Sequence, residues 1–248
     1  VRELSANAAD AHVLNGNQKV PFDVKIPNKL DPQFYIRDYG PGLSEEGVMK
    51  LYTTYFESTK SNSNDFIGGL GLGSKSPFSY TDSFTVSAIH EGVKTVYSAF
   101  VNEDGMPQIV KLMDGSPTDE PSGLQIGFPV EPKDMRAFEL EAQRILPWFN
   151  PEPNVLGASI KSLEAPTDVI GPLSIYQNIP VWTNNYYREH TTFVKMGHVI
   201  YPVSWESAGL DDTKDPALAL IKNHSAGSIY IFDIYNIYIS SILKKPKR

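Results

Sequence analysis

An α+β fold in two units is predicted by three observations. Stretches at 2–14 and 132–149 carry the spacing of packed helices. Between them, over 82–130, apolar residues recur with period two and are punctuated by Glu91-Gly92 and Asp104-Gly105, the pattern of an antiparallel meander. A proline-rich break, Asn150-Pro151-Glu152-Pro153-Asn154, then separates a first domain, 1–149, from a strand-rich remainder, 155–248.

The first helix, 2–14, is ended by Gly16. Glu3, Asn7 and Asp10 fall at i, i+4 and i+7 and share one face, flanked by Leu4, Ala6, Ala8, Ala9, Ala11 and Val13. A solvated polar face is one account. Against it, alanine on both flanks suggests packing around most of the circumference, and no Lys or Arg interleaves the stripe as on an exposed helix. Residues 20–26 and 33–37 alternate as strands, with Pro27-Asn28-Lys29 and Asp31-Pro32 as turns. Asp38 ends the second strand and leads into Gly40-Pro41-Gly42. Plain turn chemistry is the alternative account of this Asp. Ser44 then caps a helix with Glu45 and Glu46 in its first turn and a stripe of Val48, Leu51, Tyr52, Tyr55 and Phe56.

Residues 57–67 are too polar to build a core and are expected to be an exposed segment. Gly68-Gly69-Leu70-Gly71-Leu72-Gly73-Ser74-Lys75 follows, with a helix expected to begin near Ser74 and Pro77 tolerated in its first turn. The meander comes next: strands at 84–89, 95–101, 108–113 and 123–130. The helix of 132–149 turns Phe138, Leu140, Ala142, Ile145 and Leu146 inward. Beyond the break, strands are expected at 155–163, 173–182, 191–203 and 228–240, with a short helix near 216–223. The aromatic tail 229–243 ends in Lys244-Lys245-Pro246-Lys247-Arg248. It falls short of the ~20 residues that span a bilayer, so a core or edge strand is expected, with an interfacial membrane contact as the alternative.

The bulk numbers narrow the function classes. The 248 residues carry 29 acidic and 22 basic side chains, a net charge of −7, so nucleic acid is not an expected partner. The absence of cysteine excludes disulfides, thiolate metal sites and thiol catalysis, and is compatible with a reducing interior. Val1-Arg2-Glu3-Leu4 is no secretory signal. The chain opens inside a helical pattern without Met, and residues are expected before Val1. The five histidines show no metal-ligand spacing and receive no catalytic role.

The glycine cluster fits three phosphate motifs poorly. A Walker A loop needs Gly-Lys-Ser/Thr, but Ser74 stands between Gly73 and Lys75. A dinucleotide loop needs a preceding strand of a βαβ unit, and the segment before Gly68 is polar. A kinase loop needs His-Arg-Asp and Asp-Phe-Gly downstream, and neither occurs. What remains is a loop entering a helix N-terminus, where backbone N–H groups favour phosphate by about 0.3–1 kcal/mol, up to ~2 when partly buried. Lys75 adds a point charge. A glycine turn packed between helices is the alternative.

In order, Glu-x-x-x-Asn-Ala-x-Asp-Ala (from Glu3), Asp-x-Gly-x-Gly (from Asp38) and Gly-x-x-Gly-x-Gly (from Gly68) resemble the GHKL ATPases: gyrase B, Hsp90, histidine kinases and MutL. The resemblance covers roughly residues 1–130. Within that superfamily, Asp38-Tyr39-Gly40-Pro41-Gly42, the stretch 63–82, Val1-Arg2-Glu3-Leu4 and Asp10-Ala11-His12 look most like the tailed-phage rIIA proteins, which are associated with lysis inhibition and with countering prophage exclusion.

The resemblance implies an ATP-binding α/β sandwich of the Bergerat type with a mostly antiparallel sheet, followed by a smaller S5-like α+β transducer domain. It implies that Asn7 binds Mg²⁺ through its amide oxygen and that Glu3 orients or deprotonates the attacking water, a role typically worth 10²–10⁴-fold. Asp10 would support the nucleoside end. Asp38 would accept a hydrogen bond from the adenine amino group, where guanine's oxygen would cost ~1–3 kcal/mol. Gly40 and Gly42 would let backbone pass the base. Gly68, Gly71, Gly73, Ser74 and Lys75 would cradle phosphates, beneath a lid at about 57–67 that carries Lys60. Lys161 or Lys195 would be the transducer lysine that reaches the γ-phosphate. In Gly123-Leu124-Gln125-Ile126 the chain departs from the family's Gly-Thr-x-Ile/Val, and Ser122 is the substitute for the missing hydroxyl.

The implied function is slow Mg²⁺–ATP hydrolysis to ADP and phosphate, with lid closure and homodimer formation on ATP binding, in the cytoplasm of a host cell. The alternative is a nucleotide-gated module with negligible turnover that binds a host or prophage protein.

Overall fold

A computed structural model describes residues 1–53, 73–163 and seven short strand segments between 168 and 240. The chain divides into Val1–Lys161 and Ser162–Arg248.

In the first unit, β1 (Asp23–Lys25), β2 (Gln33–Arg37), β3 (Ser83–His90), β4 (Val93–Val101), β5 (Pro107–Pro117), β6 (Gly123–Pro129) and β7 (Asn154–Leu156) form one sheet. Its order is β5-β4-β3-β6-β2-β1-β7, and every pairing is antiparallel except β1 with β7. The expected class, α+β with a mostly antiparallel sheet, is the observed one. Helices α1 (Arg2–Leu14), α2 (Glu45–Thr53) and α3 (Met135–Ile145) complete the unit, with 3₁₀ helices at Gly73–Ser79 and Leu146–Trp148.

The register explains the core. Phe34 faces Phe128, and Ile36, Ile126 and Val86 stand in line across three strands, so their side chains share one face of the sheet. Leu4 and Ala8 of α1, Val48 and Tyr52 of α2, and Ala142 and Ile145 of α3 join them in one buried cluster. Phe138 closes it with ring centroids 5.1 Å from Phe34 and Tyr80. Each buried side chain of this size contributes about 1.5–3 kcal/mol. Glu91 and Gly92 both take positive φ, which matches a two-residue hairpin turn to the twist of β3 and β4. Ser44 caps α2 through Gly47, as its position ahead of Glu45 suggests.

Three local readings change. The helix expected from Ser74 is the seven-residue 3₁₀ helix, since Pro77 has no N–H to bond one turn back. Break 150–154 runs directly into β7, which joins the first sheet, and the division falls after Lys161. Residues 218–221, expected as helix, are strand β12 below: four apolar residues do not distinguish the two periods, and pairing decides.

In the second unit, β8 (Asp168–Ile170), β9 (Leu173–Tyr176) and β12 (Leu218–Ile221) form a sheet in the order β12-β9-β8. β10 (Thr192–Met196) pairs with β11 (Val199–Val203), and β13 (Ile231–Phe232) with β14 (Ile239–Ser240). Lys195 lies on β10. Lys60, Gly68, Gly71, the lid 57–67 and the basic tail 244–248 lie outside the described residues.

Candidate functional site

Helix α1 is where the sequence clusters meet. Leu4, Ser5, Ala6, Ala8, Asp10 and His12 are buried, so the helix is packed around most of its circumference and is not a surface helix with a polar stripe. The three acidic and amide residues descend into the protein along it. Glu3 is half exposed and accepts a bond from Arg2 Nε at 3.2 Å, Asn7 is half-buried, and Asp10 is 3% exposed.

Asn7 faces the end of the glycine cluster. A Cβ at Gly73 would stand 2.8 Å from the Asn7 amide nitrogen, so a larger residue there would push the amide aside. Ser74 and Lys75 follow, half-buried, and burial lowers the Lys75 pKa. One turn further along α1, about 6 Å away, Ala11 faces the second cluster. A Cβ at Gly40 would stand 2.7 Å from the Ala11 Cβ.

That second cluster is the most constrained part of the unit. Asp38 is 7% exposed, and its Oδ1 accepts from the Gly40 amide at 2.9 Å and the Leu124 amide at 3.2 Å. Burial raises its pKa, and those two amides and then Arg37 only partly offset the effect. Among the described residues no cation pairs with this carboxylate. Arg37 donates instead to the carbonyls of Asp38 and Pro121 and lies 5.0 Å over the Tyr39 ring. The Tyr39 hydroxyl donates to Asp23 at 2.5 Å; burial first and that carboxylate second push its pKa up to about 12. Gly42 has φ +71, and a Cβ there would stand 1.9 Å from the Ile89 carbonyl oxygen. What crowds Gly40 and Gly42 is therefore α1 and β3.

Several contributors were not read from the sequence. Leu124 braces Asp38 with backbone alone: its amide meets Oδ1 and its carbonyl accepts from the Asp38 amide at 2.9 Å. Arg37 and Tyr39 flank the acidic residue without belonging to its motif. His12 is buried on the stripe begun by Leu4 and Ala8, and the signal was there, since a histidine continued an apolar i, i+4, i+8 row. Lys161 meets Gln143 through its backbone, at 2.8 and 2.9 Å.

The arrangement has a chemical order. A buried carboxylate with one free oxygen lies at one end, a half-buried amide against glycine backbone in the middle, and an exposed carboxylate at the other end. No group of three His, Cys, Asp or Glu side chains could hold a metal among the described residues. One neutral amide oxygen fits a hard cation that takes its other ligands from phosphate and water. A depression of about 310 Å³, lined by Leu146, Pro147, Glu152, Val155, Ser159 and Ile160 among others, shares no residue with this cluster. No helix among the described residues is long and apolar enough to cross a membrane.

Solved structures similar to the chain include two topoisomerase fragments. One is the ATPase and transducer domains of DNA topoisomerase II from Balamuthia mandrillaris, at 16% identity and TM-score 0.47, covering 64% of this chain and 47% of that one. The other is the ATPase region of Saccharomyces cerevisiae topoisomerase II, at 18% identity and TM-score 0.39, covering 54% and 38%. The chain thus spans less than half the length of either. No protein-family model and no curated protein matches it.

Proposed function

We propose that the chain binds Mg²⁺–ATP along α1 and hydrolyses it slowly, as a GHKL-type ATPase. The observation that carries this reading is the Asp38 carboxylate. It is buried, unpaired by a cation among the described residues and held by two amides on one oxygen, leaving Oδ2 as an acceptor for an exocyclic amino group. Retaining a buried charge of this kind costs stability, and a ligand that donates to it accounts for its presence.

The remaining assignments follow the order of groups along the helix. Asp10 supports the nucleoside end. Gly73, Ser74 and Lys75 lie toward the phosphates, with Lys60, Gly68 and Gly71 as their proposed partners. Asn7 would hold Mg²⁺ by its amide oxygen; the ion, when bound, neutralises charge on the phosphates. Glu3 accepts a proton from water at the γ-phosphate end. Lys161, the last residue of the first unit, is a candidate for that end, and the unit after it is proposed to be S5-like. Lid closure over 57–67, homodimer formation on ATP binding, and a phage rIIA role in lysis inhibition or against prophage exclusion rest on sequence resemblance.

One observation favours the second reading, a nucleotide-gated module with negligible turnover that binds a host or prophage protein. The Glu3 carboxylate is half exposed and bonded to its neighbour Arg2, so nothing described aims it at a water. Steady-state phosphate release separates the two. Release that requires Mg²⁺ and is lost in Glu3→Ala supports the ATPase. Nucleotide binding with no release supports the gate.

A further inference from the structure

We infer that His12 is a positioning residue that fixes the Asp38-Tyr39-Gly40 turn on α1 through its neutral Nδ1–H tautomer. The proposal rests on the nucleotide reading only for what the turn is used for.

Both ring nitrogens are engaged, and the partners leave no choice of proton placement. Nδ1 lies 2.8 Å from the Val20 carbonyl oxygen, which can only accept, so Nδ1 carries the hydrogen. Nε2 lies 2.7 Å from the Tyr39 backbone nitrogen, which can only donate, so Nε2 is bare. The ring is 2% exposed and packs 6.3 Å from Phe22 and 6.0 Å from Tyr39. Water therefore does not replace either bond.

The residue so gripped is the centre of the turn. The Tyr39 amide belongs to His12, and its carbonyl accepts from Asn15 at 3.2 Å and Asn17 at 3.0 Å, just past the end of α1. Its hydroxyl is held by Asp23. Helix α1 and the two asparagines just past it thus hold the N–H of the peptide between Asp38 and Tyr39 and the carbonyl of the peptide after it, and with them the course of the turn that carries the carboxylate. A cationic His12 would turn Nε2–H against the Tyr39 N–H, leave that buried donor without an acceptor, and release the turn. Of the titratable and charged groups, the Tyr39 ring lies 6.0 Å from the imidazole and Asp38 interacts with it electrostatically, while Asp23 and Arg37 are placed on Tyr39. Burial raises the Asp38 pKa, so Asp38 contributes its own part to an acid-side profile and is separated from the His12 effect by the variants.

The test uses the full chain. Ring ¹⁵N shifts of His12 and the Tyr39 amide are followed against pH without nucleotide, and the affinity for a non-hydrolysable ATP analogue is followed over the same range in wild type, His12→Leu and His12→Gln. The expected result is the Nδ1–H tautomer, with the Tyr39 amide shifting along the His12 titration. Losing the buried bond in His12→Leu weakens the analogue about tenfold or more. His12→Gln offers an uncharged donor and acceptor, recovers most of that loss, and retains only the part of the acid dependence that belongs to Asp38. An Nε2–H tautomer, or a Tyr39 amide indifferent to His12 protonation, overturns the proposal, and so does unchanged affinity in His12→Leu. Should that variant not fold, the wild-type spectra and His12→Gln decide. A chain that binds no nucleotide yet shows the tautomer and the shared titration overturns the nucleotide reading and supports the positioning role.

Discussion

The two ends of α1 differ in how completely they are built. At the C-terminal end Asp10, His12, Asp38 and Gly40 are buried, and both polar groups of the Tyr39 backbone and its hydroxyl have protein partners. At the N-terminal end Arg2 and Glu3 are exposed and, among the described residues, bond to each other. The lesson is one of preorganisation. A corner proposed to read a base must hold its buried carboxylate at fixed geometry, and the fold spends buried hydrogen bonds on it. The end proposed for chemistry is left open, and a ligand must supply what completes it.

Breaking the corner should have the largest effect. Gly42→Ala would set a Cβ 1.9 Å from the Ile89 oxygen at φ +71. The backbone of β3 cannot give way, so a loss of about 3 kcal/mol or more is expected, read as a collapse of the thermal transition. An ordinary melting temperature would show that the corner is softer than described.

The open end should show the opposite signature, a rate effect without a stability effect. Glu3→Ala is expected to lower phosphate release by 10²–10⁴-fold while leaving the melting temperature and analogue affinity nearly unchanged. A co-varying loss of stability would mean that Glu3 belongs to the packed part of the helix.

Asp38→Asn separates recognition from folding within the corner. The amide oxygen can keep both backbone bonds, but its NH₂ would face the ligand's amino donor. Affinity for the ATP analogue should fall about 10–100-fold by calorimetry, from ~1–3 kcal/mol of unsatisfied donor. Stability should not fall at pH 7. Burial raises the Asp38 pKa from 3.8, so the folded chain holds that proton more tightly than the unfolded one. Wild-type stability therefore declines as pH rises through the interval above 3.8 and stays lower beyond it. Asn has no such term, so its advantage should shrink as pH is lowered through that interval.

Gly73→Ala should have a far smaller effect on folding than Gly42→Ala. Its Cβ would meet the far end of the Asn7 side chain at 2.8 Å, which can swing aside. A cost of about 1 kcal/mol or less is expected in the melt, with a separate loss in Mg²⁺-dependent affinity. A cost like that of Gly42→Ala would place Gly73 in the rigid half.

Much of this was legible in the sequence, for identifiable reasons. The meander was readable because period two and the Glu91-Gly92 turn agree. The alanine flanks of the first helix told correctly of burial. What the sequence did not carry was long-range pairing. Leu124 lacks a hydroxyl and acts through its backbone, which any residue could supply. The role of His12 depends on a carbonyl at Val20 and an amide at Tyr39, neither of which has a side-chain signature. Residues 218–221 and 154–156 are short enough that pairing partners, and not local pattern, set their state.

The most direct test of the central claim is a calorimetric comparison of non-hydrolysable ATP and GTP analogues, with Mg²⁺, on wild type and Asp38→Asn. If Asp38 reads the base, wild type binds the adenine analogue at least about tenfold more tightly, and the preference collapses in the variant. Equal affinities in wild type, or a preference that survives Asp38→Asn, would contradict it.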